Sequence, residues 1–96
     1  MPLKIIWTQT SKETYIYVLD YLNDIWGQKY VNNFLKKSNK IFNLISLNPQ
    51  MFQCIYENET VRKGILHKNC SFLYRVNTDY IELLVFWDTR QEPFLT

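Results

Sequence analysis

Apolar residues recur every three or four positions over the first half of this 96-residue chain. That spacing lines up apolar side chains along one side of a helix. The first such stripe precedes Gly27 and contains Tyr15, Val18, Leu19, Leu22, Ile25 and Trp26. The second follows Gly27 and contains Val31, Phe34, Leu35, Ile41, Phe42 and Ile45. Glycine suits a helix end, and Pro49 disfavours helix at Asn48. The pattern predicts two helices, the second over about 28–47, joined as an antiparallel hairpin.

The segments on either side of this hairpin have different patterns. Residues 3–8 form a short β-branched and aromatic run, which predicts a first strand. Thr10 and Glu13 then have the spacing of a capping box, in which the Thr10 hydroxyl accepts from the amide three residues on and Glu13 reaches back. Residues 49–59 show no regular pattern and predict a loop.

Three strands are predicted after that loop, at about 60–67, 70–77 and 80–88, with turns at 68–69 and 78–79. The last strand has apolar residues on both faces, which favours a central place in the sheet. The order β-α-α-β-β-β predicts a single α+β domain over residues 1–96. In it, the helical hairpin packs on one face of a mainly antiparallel sheet.

Composition narrows the class of protein further. Aromatic residues make up 17% of the chain, which fits either a small core that needs large side chains or an apolar surface kept for a partner. One aromatic set is predicted to be core: Trp7, Tyr15, Trp26, Phe34, Phe42 and Tyr74. No stretch approaches the ~20 apolar residues of a membrane span, and the start of the chain does not resemble an export signal. A cytoplasmic protein without membrane association is expected.

Cys54 and Cys70 are too few and too far apart to predict a metal site, and there is no CxxC motif. We expect both to be reduced and buried as small hydrophobic residues. No metal or organic cofactor is predicted.

The formal charge is only +2, but its distribution is uneven. Residues 60–78 contain four cations, Arg62, Lys63, Lys68 and Arg75, and no Asp or Glu. A segment charged in this way predicts a local site for an anion rather than long-range attraction of a polyanion.

Three arginines are candidates for phosphate contacts and catalysis, because guanidinium groups bind phosphate in a bidentate manner. They are Arg62, Arg75 and Arg90. An arginine at a strand edge is also commonly solvated or ion-paired. Arg62 and Arg75 lie on neighbouring antiparallel strands and could share a face. Arg90 follows the last strand beside Asp88 and Glu92, either of which could pair with it.

Five further residues complete the candidate site. His67, the only histidine, has a pKa suited to acid or base catalysis, but it could equally be an exposed turn residue. Lys63 and Lys68 are candidates for anion contacts. Trp87 could pack inside or face a partner. Phe94 could stack on a base, but it has no proton to give.

The order of these features resembles the RelE/ParE superfamily of toxins from bacterial type II toxin–antitoxin systems. The resemblance covers almost the whole chain. It rests on the strand before a capped helix, the hairpin that ends at 47–49, the Val-Arg pair at 61–62, and the segments 72–76 and 86–93. No single piece is specific, and their order within one short chain carries the resemblance.

The resemblance implies a growth-inhibiting toxin that a co-expressed antitoxin neutralises by wrapping it with a tail that folds on binding. Two branches of the superfamily differ in target. RelE-like members resemble ribosome-dependent mRNA endoribonucleases, and ParE-like members poison DNA gyrase. RelE-like nucleases generally carry a tyrosine or histidine after the closing arginine, whereas residues 91–96 contain neither. We therefore favour the ParE-like branch, with the RelE-like branch and a non-toxic antitoxin-binding relic as alternatives. Plasmid stabilisation, a homodimer and a hetero-oligomer with antitoxin are compatible with all three.

Overall fold

The sheet has one more strand than the sequence predicts. In this computed structural model, residues 2–55, 58–67 and 70–89 are described. The elements are β1 (Lys4–Trp7), α1 (Gln9–Trp26), α2 (Gln28–Leu47), β2 (Cys54–Ile55), β3 (Asn58–His67), β4 (Cys70–Val76) and β5 (Tyr80–Asp88). Their order in the sheet is β1-β5-β4-β3-β2, with β1 parallel to β5 and the other pairs antiparallel. The predicted α+β fold, with a helical hairpin on a mainly antiparallel sheet, is confirmed.

The extra strand, β2, lies in the segment that was predicted to be a loop. Cys54 is opposite Arg62 in the register, and the Lys63 amide donates to the Gln53 carbonyl at 3.1 Å. Two residues are too short to show a strand pattern in sequence, so the edge of β3 orders this segment. The turn predicted at 68–69 lies outside the described residues.

The helix α1 begins two residues earlier than the capping-box prediction, which is therefore wrong. Thr8 is the N-cap, and its hydroxyl oxygen accepts from the Ser11 amide at 3.1 Å. The same hydroxyl donates to the carbonyl of Leu83 in β5 at 2.8 Å. Because this long-range bond is available only at Thr8, the cap is set by the sheet as well as by the local sequence.

Gly27 separates the helices as predicted. Its φ of +89° lies in a region that side chains rarely adopt, and its amide donates to the Asn23 carbonyl at 3.0 Å. Glycine adopts this backbone conformation without a Cβ clash. The chain can therefore end α1 and start α2 within a single residue.

The core is an aromatic cluster between the hairpin and the sheet. Phe86 of β5 lies at its centre, and its ring stacks on Trp7 at 5.5 Å and on Phe72 at 5.3 Å between centroids. Tyr15 of α1 and Phe42 of α2 cover it from above, at 4.9 and 6.1 Å. Most of the aromatic excess thus builds the core. The core prediction is wrong for Trp26, which ends α1 and is 53% exposed.

Candidate anion- and partner-binding surfaces

The register of β3 and β4 places the two described candidate arginines on opposite faces of the sheet. Arg62 is opposite Tyr74, and Arg75 is opposite Val61. Side chains that are directly opposite lie on the same side, and neighbours along a strand alternate. The expectation that Arg62 and Arg75 share a face is therefore wrong. Arg62 is on the helix-facing side, and Arg75 is on the other side, which neither helix covers.

Arg62 secures the segment that precedes the sheet. Its Nη1 donates to the Phe52 carbonyl at 2.6 Å, and the neighbouring Tyr74 hydroxyl donates to the Pro49 carbonyl at 2.8 Å. Burial raises the pKa of Tyr74 above its ordinary value, and the charge of Arg62 opposes that rise. The Arg62 side chain thus has a structural role, because it binds the 49–53 segment to β3.

The side of the sheet without helices, called here the open face, carries Lys63, Ile65, Arg75 and Trp87. The Arg75 Nη1 lies 3.7 Å from Oε1 of Glu82, directly opposite it on β5. The Arg75 side chain remains 40% exposed. An exposed pair of this kind is weak, at about 0–1 kcal/mol, so Glu82 does not prevent Arg75 from meeting another anion.

Lys63 and Trp87 form the second charged feature of the open face. The Lys63 ammonium lies 5.8 Å from the centroid of the Trp87 ring, which is within the range of a cation–π contact. Trp87 is only 8% exposed. The tryptophan supports Lys63 from below and offers little ring surface for stacking. Of the two interpretations of Trp87, packing is the one that the structure favours.

His67 is half-buried at the end of β3 and faces α2. Its Nε2 lies 3.3 Å from the Tyr30 hydroxyl, and the rings of Tyr30 and Phe34 meet it edge-on at 5.9 and 6.3 Å. The histidine is therefore on the helix side of the sheet, apart from Lys63 and Arg75. Sequence reasoning missed its contact with Tyr30, since the two residues are 37 positions apart and no spacing rule connects them.

Two depressions accompany these surfaces. The smaller, about 140 Å³, lies between α2 and the end of β3 and is lined by Tyr30, Asn33, Phe34, Lys37 and His67. The larger, about 500 Å³, borders the β2 edge and is lined by Met51, Phe52, Gln53, Cys54, Ile55, Lys63 and Ile65. Ile65, on the open face, is 51% exposed. Neither depression is foreseen from the sequence, because each joins residues from distant segments.

Three candidates, Arg90, Lys68 and Phe94, lie outside the described residues and stay predictions. Among the residues that the structure describes, no group of three His, Cys, Asp or Glu side chains could hold a metal ion. Neither described helix is long and apolar enough to cross a membrane.

The two cysteines differ in environment. The expectation of burial is confirmed for Cys70 and wrong for Cys54, which lies exposed on the edge strand β2. Burial, together with the nearby Asp88 carboxylate, raises the pKa of Cys70 to about 12. Thiolates are the reactive form, so the Cys70 thiol should be inert in the folded chain.

We accordingly expect iodoacetamide at pH 8 to add one alkyl group to the folded chain, at Cys54, and two after denaturation. Intact-mass spectrometry with peptide mapping measures this. A Cys54→Ser variant should stay unlabelled while folded. Rapid labelling of Cys70 in the folded chain would contradict the packing described for β4.

No protein-family model and no curated protein matches this sequence. Solved structures do match it. A chain of the "Chromosomal ParDE TA system from P. aeruginosa" superposes with a TM-score of 0.72 at 16% identity, over 90% of this chain and 95% of that chain. The YoeB dimer from Staphylococcus aureus gives a TM-score of 0.62 at 13% identity, over 88% and 94%. The chain has the fold of the RelE/ParE toxins. At such identities the likeness establishes the fold, and what the chain does has to be argued from its own residues.

Proposed function

We propose that this protein is the toxin of a type II toxin–antitoxin system, which inhibits growth in the cytoplasm until a protein antitoxin neutralises it. The observation that carries the proposal is the extent of the fold match. It spans 90% of this chain and 95% of a chain from a ParDE TA system. A second match, to the YoeB dimer, spans 94% of that chain. The domain therefore has no large addition or deletion that would set it apart from those structures.

The exposed apolar residues of the hairpin support a protein partner. Both helices leave large apolar side chains in solvent: Ile16, Tyr17, Ile25 and Trp26 on α1, and Leu44 and Leu47 on α2. Clustered exposed apolar residues are typical of interaction surfaces. An amphipathic antitoxin segment that packs its apolar side along the hairpin would cover them.

For the cellular target we propose the ParE-like one, DNA gyrase. Cleavage of RNA through its 2′-hydroxyl needs proton-transfer groups close to the cations that hold the phosphate. Here His67 faces α2, while Lys63 and Arg75 are on the opposite face of the sheet. This separation speaks against a histidine-assisted nuclease.

One observation favours the alternative, a RelE-like mRNA endoribonuclease. Lys63 and Arg75 are two exposed cations on the open face, about 7–8 Å apart by the usual spacing of diagonal neighbours in a sheet. That arrangement suits an RNA backbone, and Arg90 is a further candidate cation. The same fold kept only to bind an antitoxin is the third possibility.

Induction of the chain alone should arrest growth, and co-expression with the adjacent antitoxin gene should restore it. If the open face meets the target, the double variant Lys63→Gln/Arg75→Gln should raise survival by at least about tenfold, because each lost charge-assisted contact is worth about 1.5–3 kcal/mol. Colony counts after induction measure this. The control variant Lys12→Gln/Lys29→Gln removes the same charge from exposed positions on the helices.

The same cultures separate the targets. Filamentation with gyrase-linked DNA breaks supports the ParE-like proposal. Cleavage of translated mRNA, abolished by Arg75→Ala, would replace it with the RelE-like alternative. Indifference of growth to the chain would leave the non-toxic relic.

A further inference from the structure

The small pocket between α2 and the end of β3 is lined mostly by hydrogen-bond donors. The Lys37 ammonium, the Asn33 amide, the Tyr30 hydroxyl and the His67 ring border a space of about 140 Å³, and Phe34 forms its apolar wall. None of the described residues that line it is acidic. A pocket with this lining suits an anion.

The helix that forms one side of the pocket is strongly basic. α2 contains four lysines, Lys29, Lys36, Lys37 and Lys40, and no Asp or Glu. Lys37 is four residues after Asn33, so the two side chains lie one turn apart on the same side of the helix. Attraction to a negative group is thus reinforced by the surrounding helix and concentrated at Lys37.

The pocket is ordered before any ligand arrives. The His67 ring is held by the Tyr30 hydroxyl at 3.3 Å and by the edge-on rings of Tyr30 and Phe34. Tyr30 is in turn stacked on Trp26, with ring centroids 5.6 Å apart. Because these groups are already fixed, a ligand would not have to spend binding energy on ordering them.

We propose that this pocket takes the carboxylate of a Glu or Asp side chain from the partner segment that covers the helical hairpin. This inference rests on the proposed function, in which an antitoxin covers that hairpin. The pocket is well below the roughly 300–1,000 Å³ of typical small-molecule sites, so it has room for the end of one side chain. Trp26, half-exposed beside Tyr30, gives the neighbouring apolar residues of the segment a surface to pack on. One acidic side chain flanked by apolar ones is the sequence pattern that this surface would recognise.

The observations favour a peptide carboxylate over a nucleic-acid phosphate. Phosphate backbones are usually met by several arginines or lysines in a row, with few apolar groups between them. Here a single lysine lines a pocket that has an aromatic wall and an exposed tryptophan beside it.

The test uses the imidazole NMR signals of the full chain, which report on one site because His67 is the only histidine. Cell-free synthesis avoids toxicity to the host. The probes are a blocked helical peptide of about 15 residues with leucines at helical spacing and glutamates on its polar side, its glutamine counterpart, and inorganic phosphate. The glutamate peptide should shift the His67 signals saturably, and the glutamine peptide should bind about tenfold more weakly or worse.

Two exposed lysines on α2 provide the matched variants. Lys37→Gln, which alters the pocket, should weaken the glutamate peptide about tenfold, whereas Lys36→Gln, which removes the same charge next to it, should change affinity less than about twofold. Equal effects of the two variants, equal binding of both peptides, or no saturable shift would overturn the proposal. So would a shift with phosphate alone, which would point to nucleic acid. Growth arrest is scored separately, so a toxin without this pocket and a pocket on a non-toxic chain give different results.

Discussion

Gly64→Ala is expected to destabilise the fold by about 1–3 kcal/mol or more, the usual cost of overpacking a core. Gly64 of β3 lies directly opposite Phe72 of β4. A Cβ at this position would come within 2.4 Å of two carbons of the Phe72 ring. That ring has 0% exposure and is enclosed by Phe42 and Phe86, so it has no free space to move into. Urea unfolding followed by circular dichroism measures the loss.

A double-mutant cycle isolates the cause of that loss. Phe72→Leu alone should destabilise the fold by opening a cavity, but it also gives a Cβ at position 64 room. The double variant Gly64→Ala/Phe72→Leu should therefore be more stable than the sum of the two single effects predicts, by about 0.5 kcal/mol or more. Strict additivity would mean that the glycine is needed for its backbone and not for the ring above it. Lys63→Ala, on the open face next to it, is the control for a general effect of alanine in β3.

The helices and the long strands could be predicted because their signals are local. A stripe of apolar residues with a period of 3.6, one glycine and one proline are enough to place α1 and α2. Alternation and turn residues place β3, β4 and β5. The two errors at the level of elements, β2 and the cap of α1, share a reason. Each is decided by a hydrogen-bonded partner far along the chain, β3 in one case and the Leu83 carbonyl in the other.

The candidate site was harder to predict because it depends on register. Composition correctly finds that residues 60–78 are basic, but a shift of one residue in pairing moves a side chain to the other face of the sheet. The register observed places Arg62 with the core and leaves Lys63 and Arg75 outside. His67 shows the same limit. Its place in a hairpin was predictable, while the pocket it forms with Tyr30 and Lys37 depends on where α2 crosses the sheet.

Arg62 and Arg75 should consequently behave as different kinds of residue, although the sequence presents them as a pair. Arg62→Ala is expected to lower the free energy of unfolding by about 1.5–3 kcal/mol, the range for a hydrogen bond from a charged donor. It removes the bond from Nη1 to the Phe52 carbonyl and loosens the 49–53 segment from β3. Arg75→Ala, which removes only an exposed pair with Glu82, should cost about 0–1 kcal/mol. Urea unfolding of both variants measures the difference.

Growth assays of the same two variants then acquire a clear meaning. If Arg62→Ala relieves growth arrest, the amount of folded protein should fall with it, and Arg62→Lys, which keeps one charged donor for the Phe52 carbonyl, should restore part of both. If Arg75→Ala relieves arrest, folded protein should be unchanged, because the cause would be a lost contact with the target. An Arg62→Ala chain that is as stable as the parent yet harmless would contradict the structural role of Arg62. It would instead require this guanidinium to leave the Phe52 carbonyl and meet the target from the helix side of the sheet.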